Sequence, residues 1–164
     1  MQHLWLEIME ISPPGTCYLD ERNIPYRLFQ HSMPVHTLEQ AAIERGQRPE
    51  QVVRSILFRL SSDEFFMVLI AGQRQISWKA IRAYLDQSRL TTASEEEVIR
   101  VTGYQIGAVS PFGLPQPVRI LVDETVLAEE EISIGSGQRG LAIILKKKDF
   151  VQAMGTVEAG KFAE

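Results

Sequence analysis

The chain has 164 residues, 45% of them hydrophobic and 23% charged, with a formal net charge of -4 at pH 7. That is long enough for one domain with a real core, and the composition excludes disordered and fibrous classes. The net acidity removes any general attraction for nucleic acid, although residues 45–89 carry eight Lys or Arg against four Asp or Glu. A polyanion docking on that face stays open beside the plainer reading of a solvated surface. Cys17 is the only cysteine, so no intrachain disulfide is expected and a reducing, cytoplasmic setting follows. The first residues include Glu7 and Glu10 and lack a basic leader, and no apolar run approaches the roughly 20 residues of a spanning helix. Neither a secretory signal nor a membrane span is expected.

Pro13-Pro14-Gly15 separates an N-terminal appendage, residues 1–14, from a single domain over 15–155, with a loose tail over 156–164. A short helix over 16–22 ends at Asn23, and the alternation over 26–30 predicts a strand that delivers His31 to a bend. Thr37 and Gln40 make a capping box for a helix that Gly46 ends. Residues 52–60 and 65–71 read as a β-hairpin turning at 61–64, both strands central. The second is apolar enough to be covered on both faces. Ser77 caps a helix over 78–85 whose buried face is Trp78, Ile81 and Leu85. A short strand over 89–92 precedes a helix capped by Ser94 and closed by Gly103. Strands follow over 118–122, 132–134 and 141–145, and Asp149 caps a last helix over 150–154. This order predicts an α/β (α+β) fold, a mixed sheet or barrel with helices packed outside.

The most unusual stretch is residues 102–113. Gly103, Gly107 and Gly113, with Pro111 between them, exceed what a chain reversal needs, so this reads either as a pocket wall or as a packed loop with tight corners. A second glycine loop covers 135–140. Together they offer backbone N–H groups to a small anionic or carbonyl oxygen, chemistry that needs no titrating side chain. Neither loop has the spacing of a dinucleotide or phosphate-loop fingerprint. Three histidines, His3, His31 and His36, and one cysteine form no recognised metal set, and there is no serine nucleophile elbow. By elimination a metal-free pocket built from main chain is favoured.

His31 through Ala42, Gly46 with the 49–53 segment, Leu69-Ile70-Ala71-Gly72, the 102–113 loop, Asp123 and the 135–140 loop occur in an order that resembles the YbaK/prolyl-tRNA synthetase-associated domain family. The likeness covers about residues 24–150. It implies a mixed, mainly antiparallel sheet partly closed into a barrel. The implied activity is hydrolysis of the ester joining a wrong amino acid to its tRNA, with no cofactor, on a free-standing deacylase. The implied partners are the aminoacyl-tRNA acceptor end and a synthetase or translation factor, not DNA. Gly107 to Pro111 matches the family's Gly-x-x-x-Pro loop. The resemblance gives Arg54, Gly107 and Ala108 catalytic roles. It makes His31, Gly103, Ser110, Pro111, Gly113, Asp123, Gly135, Ser136 and Gly137 substrate contacts, with the acyl end between the two loops. His31 either polarises water there or is a structural histidine. Editing members usually carry lysine where this chain has Arg54. Arginine keeps the charge but cannot lose its proton, so the alternative is a silent binding module of the same fold that recognises a tRNA end, a nucleotide or an amino acid.

Overall fold

The computed structural model describes residues 12–164, so the expected appendage over 1–14 lies mostly outside the described residues. Helix α1 (Pro14–Glu21) starts on a proline whose fixed φ suits a first helical position, and Asn23 turns the chain out of it at φ 54°. Strand β1 (Arg27–Gln30) leads to α2 (Leu38–Glu44), where the Thr37 side chain accepts from Gln40 N. The Gln40 side chain accepts from His36 N rather than Thr37 N, so the box reaches one residue further back than expected. After a 3-10 turn, Pro49–Gln51, come β2 (Val53–Leu60) and β3 (Phe65–Ala71). Then follow α3 (Trp78–Leu85), β4 (Leu90–Thr92) and α4 (Glu95–Thr102), which carries a complete Ser94/Glu97 capping box. The chain continues through β5 (Arg119–Asp123), a 3-10 turn at Glu124–Leu127, β6 (Glu131–Gly135), β7 (Leu141–Lys146), α5 (Lys147–Met154) and β8 (Glu158–Gly160).

The strands form two sheets, a five-stranded one in the order β4-β2-β3-β5-β8 and a three-stranded one in the order β1-β7-β6. β2 and β3 pair antiparallel from Val53 opposite Ala71 to Arg59 opposite Phe65, whereas β5 is parallel to both β3 and β8. Among the described residues one backbone bridge, between Val52 and Ser133, links the sheets. The mixed, mainly antiparallel α/β fold is therefore realised as two open sheets joined at one point, not as a closed barrel. Period-2 alternation along β2 sorts its side chains. Val53 and Leu57 enter the main core with Ile132, Ile134, Ile143 and Phe150, while Ile56 and Phe58 face the second core with Ile81, Leu121 and Phe162. β3 is buried on both faces, which explains its unbroken apolar run.

Three expectations change. Trp78 is 38% exposed and lays its edge on Phe58 with ring centroids 5.3 Å apart, so it covers the core instead of filling it. Helix α5 begins at Lys147, which puts Asp149 inside its first turn and not at the cap. The tail is not loose: β8 pairs with β5 and Phe162 is 1% exposed. What orders it is Asp123, whose Oδ1 accepts from Phe162 N at 2.7 Å and from Ala163 N at 3.0 Å.

Candidate functional site

A cleft of about 660 Å³ opens where β2 leaves the link between the sheets. One wall is the 34–38 segment with α2; the other is formed by the two glycine loops and the start of β7. Of the residues expected to act, His31, Arg54, Gly107 and Gly135 line it.

The loops do not face each other across this space. Gly137 N donates to Ala108 O at 2.8 Å, and the Arg139 guanidinium donates through Nη2 to Ile106 O at 3.1 Å. A side-chain carbon on Gly135 would overlap the Val109 carbonyl oxygen, so only glycine lets the two backbones come this close. The loops are fastened into one wall, which overturns the expected placing of a ligand between them. Ala108 is spent on this wall, since its own N–H donates to Gln105 O at 3.0 Å. Gly107, at φ 92° with open space around it, donates its N–H to no acceptor among the described residues.

The other expected contacts hold the scaffold. Gly103 ends α4 in the left-handed region. Ser110 Oγ accepts from Phe112 N, Pro111 is buried beside it, and the Tyr104 hydroxyl donates to the carbonyls of Phe112 and Gly113. Burial pushes the Tyr104 hydroxyl up to about 12, which keeps it a donor. Ser136 Oγ donates to Leu141 O at 2.8 Å. Asp123 is 1% exposed; besides holding the tail, its Oδ2 accepts from Thr125 N and Oγ1 at 3.0 and 2.6 Å. All four of these donors are internal, so Asp123 has no role in the cleft.

The cleft also gathers polar residues that the sequence does not flag. Arg45, the last residue of α2's cap, donates Nε to His31 Nε2 at 3.0 Å and Nη1 to Ser133 Oγ at 2.9 Å. A guanidinium only donates, so His31 Nε2 accepts and its proton sits on Nδ1, 3.5 Å from Glu44 Oε2. Burial first, and Arg45's charge second, lower the His31 pKa and hold the ring neutral. Nε2 is committed to Arg45, and the protonated Nδ1 faces Glu44 Oε2 without a hydrogen-bond partner among the described residues, so His31 has no lone pair for the cleft and reads as structural. Burial also brings Arg45 down to about 10, still a cation at neutral pH.

Arg54 projects from the face of β2 opposite to Val53 and folds its Nη2 onto the Arg74 carbonyl oxygen, while its Nε is buried without a partner among the described residues. Ser55 Oγ, also lining the cleft, is likewise unpartnered. Nothing in the spacing of Arg45, Ser55 or Arg139 marks them, because β1, α2, β6 and the loops converge here only in the folded chain.

Among the described residues no cluster of three or more His, Cys, Asp or Glu could hold a metal ion, and no helix is long and apolar enough to cross a membrane.

The chain is 33% identical over 106 residues to the proline–tRNA ligase of Kosmotoga olearia, a match spanning 65% of this chain and 18% of that enzyme. It is 30% identical over 113 residues to the uncharacterized protein YwhH of Bacillus subtilis, spanning 69% of this chain and 71% of that one. In fold it is similar to a candidate trans-editing enzyme for prolyl tRNA synthetase, with a TM-score of 0.84 over 94% of this chain and 99% of that one, at 22% identity. The sequence pattern of the aminoacyl-tRNA editing domain matches residues 32–153. The chain belongs to the aminoacyl-tRNA editing domain family.

Proposed function

We propose that this protein is a free-standing deacylase that hydrolyses the ester of a mischarged aminoacyl-tRNA. The observation that carries the reading is the free, positive-φ Gly107 amide at the wall of the cleft, with Arg54 lining the same cleft. A fixed N–H directed at the acyl carbonyl stabilises the oxyanion that forms when water adds to it and gives up a proton to solvent; elsewhere such a donor is worth roughly 3 to 4 kcal/mol. The ester C–O bond then breaks, and the ribose oxygen leaves with a proton from solvent. Arg54, already anchored on a main-chain carbonyl, lines the cleft and brings its guanidinium charge to orient the terminal phosphate or ribose.

The test is a deacylation screen against mischarged tRNAs, including alanine, serine and cysteine on proline tRNA, with Gly107→Val as the blank. Hydrolysis that disappears in the blank is the expected result. Silence across the panel from folded protein would overturn it.

A second reading, a binding module without hydrolysis, is favoured by one feature. The Arg54 guanidinium is permanently charged and tied to Arg74 O, so it transfers no proton. If Arg54→Lys gains deacylation from a silent parent, this reading holds; a parent that is already active supports the enzyme.

A further inference from the structure

Arg45 is a half-buried cation in the cleft that makes no ion pair among the described residues. Glu44, the adjacent carboxylate, turns its Oε2 to His31 Nδ1 instead. The C-terminal end of α2 offsets part of the charge, since cations sit well at the negative end of a helix. Glu44 offsets part of it as well, but a half-buried cation with no direct ion pair is costly to desolvate, and an anion arriving at its free N–H would offset that cost. The guanidinium is also held in place from two sides, Nε on His31 Nε2 and Nη1 on Ser133 Oγ, both acceptors that are neutral. Nη2 donates to no acceptor among the described residues, and Arg45 lines the cleft. A planar guanidinium anchored through Nε and Nη1 holds its remaining Nη2 donor in a fixed place, which pre-organises it for one oxyanion because little side-chain entropy is lost on binding.

We propose that Arg45 forms an oxyanion subsite in this cleft, held ready by His31 and Ser133 and taking a carboxylate or phosphate oxygen of the bound ligand. The identity of that ligand rests on the editing reading. In an aminoacyl-tRNA end the two sources are the side-chain carboxylate of an acidic acyl group and the phosphate on the 5′ side of the terminal adenosine. Arg54 lines the same cleft but is tied through Nη2 to the Arg74 carbonyl, so it does not take this position.

Two pairs of probes separate the sources without reading hydrolysis: aspartate against alanine, and adenosine 5′-monophosphate against adenosine, titrated by calorimetry into the whole protein. At least one anionic probe should bind about tenfold or more tightly than its neutral counterpart, the size of a charge-assisted hydrogen bond. That preference should fall to near unity in Arg45→Gln. Preference in the first pair assigns the carboxylate, preference in the second the phosphate. No preference in either pair, or a preference that Arg45→Gln retains, overturns the subsite. Should Arg45→Gln not fold, the Nε–H resonance of Arg45 in the unaltered protein decides. It shifts on saturation with the preferred anion and not with the neutral probe, and a resonance that stays in place overturns the proposal. A protein that shows the Arg45-dependent preference but hydrolyses no aminoacyl-tRNA would keep this subsite and lose the deacylase reading.

Discussion

Arg45 Nε donates to His31 Nε2 at 3.0 Å, so a permanent cation shares a hydrogen bond with an imidazole that must stay neutral to accept it. Protonating His31 would set two cations against each other, with only Glu44, 3.5 Å from the other ring nitrogen, to offset them.

This pair makes stability depend on pH in a definite direction. The folded His31 binds its proton less readily than an ordinary histidine near 6.5, so the unfolded chain takes up the proton first as pH falls. The pair's contribution is fully present above about 6.5 and is lost as pH drops through that value towards the folded one. Melting temperatures followed from about pH 7.5 to about pH 5 should fall more steeply for the parent than for His31→Gln. Equal slopes would show that His31 is not held neutral.

Gly135 and Gly107 should respond differently to a methyl group. Gly135→Ala drives Cβ into the Val109 carbonyl, a backbone overlap that no rotamer change relieves, and should cost about 3 kcal/mol or more while prising the loops apart. Gly107→Ala meets nothing within 4 Å and pays only for its positive φ, about 1 to 2 kcal/mol. Denaturant midpoints at constant slope check the order. If Gly135→Ala is as stable as Gly107→Ala, the loops are not packed as described.

Asp123→Ala should act on the tail and not on the cleft. It leaves Phe162 N, Ala163 N, Thr125 N and Thr125 Oγ1 without their acceptor, at a cost of roughly 3 kcal/mol or more. Limited proteolysis should then cut near residues 156–164, which the parent resists. Ligand binding per folded molecule should be unchanged; a selective loss of binding with the tail still protected would return Asp123 to the site.

The β5–β8 edge carries an acid-sensitive contact. Arg119 meets Glu158 through Nε at 2.9 Å and Nη2 at 2.6 Å, and the Tyr84 hydroxyl donates to the same carboxylate at 2.6 Å. The Arg119 bonds chiefly bring Glu158 down to about 2, so its contribution is present above its ordinary value of 4.5 and is lost as pH falls towards 2. Glu158→Gln should therefore cost about 1 kcal/mol at neutral pH, with the gap to the parent closing in acid. A gap that stays constant across that range would mean the charge contributes nothing.

Local chemistry was legible in the residues themselves. Thr37, Ser77 and Ser94 place helix starts, Gly103 places an end, and the uninterrupted apolar run of β3 announces burial on both faces, because caps and periodicity act within a few residues of chain. The family signature is of the same kind, short ordered motifs along one strand of text. Contacts between distant segments were not legible. Asp123 looked like a site residue and instead ties down a tail that looked loose, since its four donors come from residues 125, 162 and 163. The glycine loops looked like two facing walls and are one, because the close approach of Gly135 to Val109 depends on how β6 and the 102–113 segment meet. Arg45 carried no mark at all: a lone arginine before a helix-ending glycine becomes an unpaired cation only when β1, α2 and β6 bring His31, Glu44 and Ser133 around it. Caps, strands and family follow from neighbours in sequence; the cleft and its charge follow from neighbours in space.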